Sequence, residues 1–382
     1  MLIVADENIP LLDSFFEDIG RIHRVSGRAM SPEDVRDADI LLVRSVTRVD
    51  QALLEGSRVK FVGTATIGTD HVDEQWLASQ GIAFSAAPGC NANSVVEYVL
   101  NVLSLYAERR GLADWSALSV GIVGVGNVGG ELARKLDRLG FSVRLCDPIR
   151  AMESEEEDFV DLDEALGCDV VTLHTPLTTD GDFPTHHLIN ADRLSTLAGN
   201  QLLINTSRGG VIDESALSSR LAGPDAPTVV LDVWQGEPGI NPDLVEQVWL
   251  ATPHIAGYSL EGKVQGTEMV YQAVCRHLGL PARKKAGQFL PEPALSKLAF
   301  TSSADEMWAA VTAMRCCYDP RRDDTELRRT MSQEESDRRK AFDQLRRDYP
   351  VRREFSSVKI QLKGSSRSMQ DSFKALGFKL KI

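Results

Sequence analysis

Short apolar runs alternating with helical spacings dominate the chain from its first residues. "LIVAD" (2–6), "ADILLVR" (38–44) and "VKFVGTA" (59–65) are nearly unbroken runs rich in β-branched residues. They are too short for helices and read as strands buried on both faces. Between them, "LLDSFFEDIG" and "VDQALLEG" repeat apolar residues at the spacing of one helix face. Strand–helix alternation of this kind makes βαβ units, whose strands lie parallel in one sheet. A second series opens at "LSVGIVGVG" and continues through "FSVRLCD", "DVVTLHTP", "QLLINTS", "TVVLDVW" and "VWLATPHI". These six strands, joined by helices such as "GNVGGELARKLDRLG", complete a doubly wound unit. Long amphipathic helices precede it (94–109) and follow it ("EGKVQGTEMVYQAVCRHLG"), placed to cross back to the first sheet.

The pattern changes after "LPARKKAGQFLPEPA" (280–294). Strand-like "SKLAF" and "SSVKIQL" flank helical stretches at 304–317 and 333–348, and a short helix near 369–376 follows. The expectation is an α/β protein with two doubly wound parallel-sheet domains and a small C-terminal α+β domain.

Composition narrows the setting. A chain of 382 residues with 43% hydrophobic and 25% charged residues has the balance of a globular protein of two or three domains. No run approaches the roughly 18 apolar residues of a membrane span. The start, "MLIVADENIP", holds only a four-residue apolar run, so a cytosolic protein is expected. The six cysteines, at 90, 146, 168, 275, 316 and 317, form no CxxC and no metal-ligand spacing. Cys316 and Cys317 read as two small buried residues of one helix. Net charge is −13, unevenly spread: residues 286–382 carry 19 Lys and Arg against 14 Asp and Glu, the remainder 23 against 41. An acidic body argues against nucleic-acid binding, and the mixed signs of "RRDDTELRRTMSQEESDRRK" describe solvated helix faces.

Candidate chemistry begins in "VGIVGVGNVGGEL". Gly124, Gly126 and Gly129 form GxGxxG directly after a strand and at the start of a helix. Gly124 suits the tight turn, Gly126 the approach of pyrophosphate, and Gly129 helix–strand packing. The following helix start aims free N–H groups at phosphate. The next strand ends in Asp147, 18 residues past Gly129, where a carboxylate accepts ribose hydroxyls and repels a 2′-phosphate. A dinucleotide site for NAD rather than NADP follows, with Arg144 and Arg150 beside the acid.

Three polar residues follow the last strands of the same unit: Arg208 in "NTSRGG", Glu237 in "DVWQGEP" and His254 in "TPHIAG". Oxidation of a secondary alcohol needs a base near neutral pKa for the hydroxyl proton, which describes imidazole. A carboxylate beside it orients the ring and favours its protonated form. An arginine offers a bidentate fork to a substrate carboxylate. His71 and Asp73 in "GTDHVDEQW" read as an N-capped loop and helix, so no metal is expected. His174 is expected near the cofactor without chemical work, and His186 and His187 in an exposed loop.

With "GIVGVGNVG", "LHTPLT", "INTSRGGVIDESAL", "LDVWQGEP" and "TPHIAGYS" in that order, the chain resembles the D-isomer-specific 2-hydroxyacid dehydrogenases over about residues 1–280. The resemblance implies that His254 is the acid/base, assisted by Glu237, with Arg208 the third catalytic residue. It places cofactor contacts on Gly126 and Asn127, Asp147, Thr175, Thr206, Ser207, Arg208, Asp232 and Gly257. It also implies a split substrate-binding domain (1–95 plus 256–285), a Rossmann NAD domain (96–255) and a homodimer, for which 286–382 is the expected dimerisation domain. Within the family, "TATIGTDHVD", "APGCNANSVVEYV" and "IAGYSLEGK" with a C-terminal extension are similar to members that oxidise a phosphorylated 2-hydroxy acid. Ser45, Thr66 and Tyr258 would then contact substrate. Arg44, Arg48 and Lys263 are available for its phosphate, and nothing local selects among them. A 3-phosphoglycerate or glyoxylate/hydroxypyruvate dehydrogenase, and an NAD-sensing co-repressor without turnover, remain open alternatives.

Overall fold

The computed structural model describes residues 1–153 and 158–381. Two compact units share the chain: Met1–Ala92 with Tyr258–Glu292, and Asn93–Gly257 with Pro293–Ile382.

The first unit is built on a five-stranded parallel sheet. Its strands are β1 (Leu2–Asp6), β2 (Arg21–Val25), β3 (Ile40–Val43), β4 (Phe61–Thr64) and β5 (Ala83–Ser85), in the order β2-β1-β3-β4-β5. β3 and β4 are buried throughout, as their unbroken apolar runs require. One face packs Ile3, Leu42, Phe15 and Phe16 against Val264, Val270, Tyr271 and Val274 of the helix Leu260–His277. The other face buries Val4, Leu41, Val43, Val62 and Leu77. β2 and β5 escape the sequence pattern for physical reasons. "RIHRV" lies at the sheet edge with its Arg and His positions exposed, and "AFS" is only three residues long and half-buried.

The second unit carries six parallel strands: β6 (Ser119–Val123), β7 (Ser142–Cys146), β8 (Val170–Leu173), β9 (Leu202–Asn205), β10 (Thr228–Leu231) and β11 (Leu250–Ala251). Their order is β11-β10-β9-β8-β6-β7. Its core runs from Val123 and Leu173 through Leu203 and Leu231 to Leu244 and Ala251. The helix Ala92–Arg109 belongs here. Tyr98 hydrogen-bonds Thr252 at 2.9 Å, and the Tyr106 hydroxyl donates to the Asn200 carbonyl at 2.6 Å. Of the two long helices expected to return to the first sheet, only Leu260–His277 does so.

Residues 293–381 add a three-stranded parallel sheet, β12 (Lys297–Phe300), β13 (Lys359–Leu362) and β14 (Lys379–Lys381), with four helices. The helix Pro320–Thr330 ("PRRDDTELRRT") was hidden by its charge, yet it buries Pro320, Asp323, Leu327 and Thr330 along one face. Leu327, Met331 and Phe342 join the core of the six-stranded sheet. Asp324 accepts the outward N–H of Ala251 on β11 at 2.8 Å, and Arg328 donates to the carbonyls of Val245 and Val248. The expectation of two buried cysteines fails: Cys316 is exposed and Cys317 half-buried. The helix Glu306–Cys317 turns Ala309, Ala310, Ala313 and Met314 inward, and position 316 falls off that face.

Candidate active site

β6 delivers the chain into the turn Gly124–Gly126 and the helix Asn127–Arg138. Gly124 has φ +88°, and a Cβ there would lie 2.8 Å from the His174 carbonyl carbon. A Cβ on Gly129 would meet the Gly124 carbonyl oxygen at 2.0 Å, so the helix can close on the strand only without a side chain. Around Gly126 the space within 4 Å is open, and no side chain caps the helix start. Asp147 ends β7 with Oδ2 accepting from Val125 N at 2.9 Å and Oδ1 from Arg150 N at 3.1 Å. Arg150 donates to the Val125 carbonyl, while Arg144 turns away to Glu164 at 3.3 Å. Thr175, whose N would lie 2.9 Å from a Cβ on Gly124, has a buried hydroxyl oxygen with no hydrogen-bond partner. Uncapped helix N–H groups, an open approach at Gly126, an orphaned hydroxyl and an acid at the next strand end together fit a dinucleotide.

The polar residues of the last strands form a connected set. Glu237 Oε2 lies 2.8 Å from His254 Nδ1, and Glu237 Oε1 accepts from Trp234 N at 2.9 Å. Burial alone would raise the Glu237 carboxyl. The imidazole, by charge and by hydrogen bond, together with the charge of Arg346 and the Trp234 N–H, outweighs it and holds the carboxyl below its ordinary value. With Nδ1 on Glu237, Nε2 is the nitrogen open to proton transfer, and 34% of the His254 side chain is exposed.

His254 sits at φ +56°, a left-handed conformation costly for a residue with a Cβ. Asp232, at the end of β10, supplies the compensation. Its carbonyl accepts from His254 N at 2.7 Å, and its carboxylate accepts from Thr252 Oγ1, Ile255 N and Ala256 N at 2.7–3.0 Å. Burial pushes this carboxyl up against the pull of His254 and those donors. Asp232 is therefore the residue that shapes the 252–256 turn, with one carboxylate lone pair unspent.

Arg208 follows β9 on a loop ordered by Asn205, whose Oδ1 accepts from Ser207 N and Oγ and whose Nδ2 donates to the Arg208 carbonyl. The Ser207 hydroxyl thus points to Asn205. Arg208 is half-buried, and one arm donates to the Ser207 carbonyl at 2.9 Å. This loop abuts the next: a Cβ on Gly209 would lie 2.0 Å from the Trp234 carbonyl carbon, and Glu214 Oε1 accepts from Gln235 N at 2.6 Å. Trp234 Nε1 in turn donates to the Thr252 carbonyl at 3.0 Å. The loops bearing Arg208, Glu237 and His254 are thereby tied together. Asn205, Glu214, Trp234 and Thr252 were missed in the sequence, where each reads as an ordinary strand end or helix first turn.

His174 lies between Thr172 Oγ1 at 3.0 Å and Thr206 Oγ1 at 3.3 Å, and burial drives its pKa down to about 3. It stays neutral and hydrogen-bonding. His186 is exposed, stacked on half-buried His187 at 3.9 Å, and His187 N donates to the Gly210 carbonyl behind Arg208. Gly257 ends the second unit's central stretch.

In the first unit, Ser45 and Thr66 each stand two residues beyond the ends of the paired strands β3 and β4, in register through Val43 and Thr64. Ser45 is exposed, and the Thr66 hydroxyl meets Thr64 Oγ1 at 2.7 Å and the Gly68 carbonyl at 3.0 Å. Lys263 Nζ sits 4.2 Å from the Tyr258 ring centre, and Arg48 pairs with Asp50 at 2.8 Å. Asp73 caps the helix Glu74–Ser79 through Trp76 N, and His71 bonds Thr64.

Residues 106–256 match the family model "D-isomer specific 2-hydroxyacid dehydrogenase, NAD binding domain", and residues 289–377 match a domain of unknown function, DUF3410. The chain is 72% identical to an erythronate-4-phosphate dehydrogenase of Marinobacter nauticus, over all of both chains. It is 52% identical to one from Hahella chejuensis, over 100% of this chain and 99% of that one. Among solved structures, D-lactate dehydrogenase from Aquifex aeolicus, complexed with NAD and lactic acid, shares the fold at TM-score 0.59 and 22% identity, covering 73% of this chain and 96% of that one. The 3-phosphoglycerate dehydrogenase of Entamoeba histolytica shares it at TM-score 0.60 and 22% identity, covering 73% and 95%.

Proposed function

Since the chain belongs to the erythronate-4-phosphate dehydrogenases, within the D-isomer-specific 2-hydroxyacid dehydrogenase family, we propose that it oxidises 4-phospho-D-erythronate at C2. The product is 3-hydroxy-2-oxo-4-phosphooxybutanoate, in the biosynthesis of pyridoxal 5′-phosphate. The observation that carries this reading is the 2.8 Å Glu237–His254 pair, tied to the Arg208 loop at the strand ends of an NAD-binding sheet.

NAD, when bound, supplies the hydride acceptor. The helix start at Gly126 and Asn127 would hold its pyrophosphate and Asp147 its adenosine ribose, with Thr175, Thr206, Ser207, Arg208, Asp232 and Gly257 further along. His254 Nε2 takes the proton of the C2 hydroxyl as the C2 hydrogen leaves with its electron pair, and Glu237 stabilises the imidazolium that forms. Arg208 grips the C1 carboxylate with its fork and draws electron density from the developing carbonyl. Ser45, Thr66 and Tyr258 contact substrate, and Arg44, Arg48 or Lys263 takes the phosphate. No helix among the described residues is long and apolar enough to cross a membrane. The protein works in the cytoplasm as a homodimer through residues 286–382.

The test is NAD reduction on a panel of acids. The expected result is kcat/KM for 4-phosphoerythronate at least about a hundredfold above erythronate and glycerate, since loss of a charged anchor costs a few kcal/mol, and higher also than for 3-phosphoglycerate, which keeps the phosphate but is one carbon shorter. Equal turnover of 3-phosphoglycerate would overturn the substrate. Tight NADH binding with no turnover on any acid would favour the co-repressor reading.

A further inference from the structure

The peptide at Ala256, two residues beyond His254, is held on both sides. Its N–H goes to Asp232 Oδ2 at 3.0 Å, and its carbonyl accepts from Ser94 Oγ at 2.9 Å and from Arg352 Nη1 at 3.0 Å. The other arm of Arg352 donates to the Ser94 carbonyl at 2.7 Å. Arg352 comes from the C-terminal segment. It is 3% exposed, and its guanidinium lies 3.8 Å from the ring centre of Tyr318, whose hydroxyl is fixed by Asp323 at 3.0 Å. The neighbouring residues repeat the grip. Asn93 Nδ2 donates to Glu354 Oε2 at 2.7 Å, and Glu97 Oε1 accepts from Phe355 N at 2.9 Å. Residues 352–355 thus hold both stretches, 93–97 and 256, that adjoin the points where the chain passes from one unit to the other.

Satisfying two carbonyls needs no cation. Burying a guanidinium is costly, offset here by the charges of Glu97 and Asp323, and what it supplies beyond that charge is a rigid planar fork with fixed spacing between donors. Here the fork spans two separate chain segments. The turn it secures contains a non-glycine residue in a left-handed conformation, which persists only where the surroundings over-determine it.

We infer that Arg352 is a positioning residue for catalysis: by fixing the Ala256 carbonyl against Ser94, it holds His254 in register for proton transfer. The C-terminal segment is then part of the machinery that shapes the site. This rests on the reading of His254 as the acid/base, and the experiment separates the two.

Arg352→Lys keeps the charge and loses the fork. In the full-length protein, with sites counted by NADH binding, kcat should fall about ten- to a hundredfold, the cost of a small misplacement of a reacting group. The NADH dissociation constant should rise by no more than about threefold, because the glycine turn is untouched and only the proposed contact at Gly257 adjoins the loosened carbonyl. Hydrogen exchange should quicken at the amides of 252–258 and not in β6–β9. A purely structural arginine would lower thermal stability and leave kcat per site unchanged. Turnover within twofold of wild type together with unchanged exchange would overturn the inference. If the wild type oxidises none of the acids, the proposed activity fails and the exchange measurement alone decides this one. Should Arg352→Lys not fold, Ser94→Ala removes the second donor to the same carbonyl. A two- to fivefold loss in kcat with faster exchange is then expected, and no change in either would refute the proposal.

Discussion

The two large sheets share one topology and differ in their first turn. Each begins with a strand flanked by the second and third strands of its series, β2-β1-β3 in one and β7-β6-β8 in the other, so each has the reversal of strand order where open α/β sheets bind ligands. After β6 comes a glycine turn with open space and a 12-residue helix without a side-chain cap. After β1 the same position is closed. Asp6, fully buried, accepts from Asn8 N at 2.8 Å through its side chain and from Ile9 N at 3.1 Å through its carbonyl, and the helix beyond spans only Leu12–Phe16. Topology creates the crevice, and the chemistry of one turn decides whether phosphate can enter it.

Three substitutions probe that division, in descending order of effect. His254→Ala removes the proposed base from the open sheet and should lower kcat by about a thousandfold or more, in the range general acid–base catalysis supplies, with NADH affinity retained. Turnover within tenfold of wild type would show that the reacting proton goes elsewhere. Gly126→Val introduces a side chain where the structure leaves space, and should weaken NAD binding by at least about tenfold with little loss of stability. Pro10→Gly at the corresponding turn of the first sheet should leave NAD affinity unchanged, as followed by NADH fluorescence. A matching loss from Pro10→Gly would erase the distinction between the sheets.

The smallest effect concerns Glu214, whose carboxyl is pushed up to about 7 by burial and, secondarily, by Glu237. A carboxyl raised above its unfolded value of 4.5 favours the folded state in its protonated form. Its contribution is full below about 4.5 and is lost as pH rises through about 7. Glu214→Gln should therefore raise Tm by a few degrees at pH 8 relative to wild type and make no gain at pH 4. An equal shift at both pH values would exclude the titration.

Much of this was legible in the sequence because the buried strands write themselves as apolar runs and the glycine turn as a spaced motif. Thr64 and Thr66, at a strand end, and the capping Asp73 behave as their residue types suggest. What stayed hidden depends on contacts distant in the chain. For Asp232 the family resemblance implies a cofactor contact; its hydrogen bonds to Thr252, Ile255 and Ala256 appear only when β10 and β11 lie side by side. Arg352, 96 residues from Ala256, sits among charged residues that read as solvated surface. The helix Pro320–Thr330 was obscured in the same way, its one apolar anchor, Leu327, outnumbered by charges.

That helix has a consequence for how the molecule avoids its own kind. A sheet edge leaves backbone donors pointing sideways, an invitation to strand addition by a neighbouring chain, and the shortness of β11 is one guard against it. Asp324 occupies the Ala251 donor, and two arms of Arg328 engage carbonyls just before it. The C-terminal segment thus seals the border of the nucleotide sheet, and a polypeptide ending before residue 320 would leave that border without its cover.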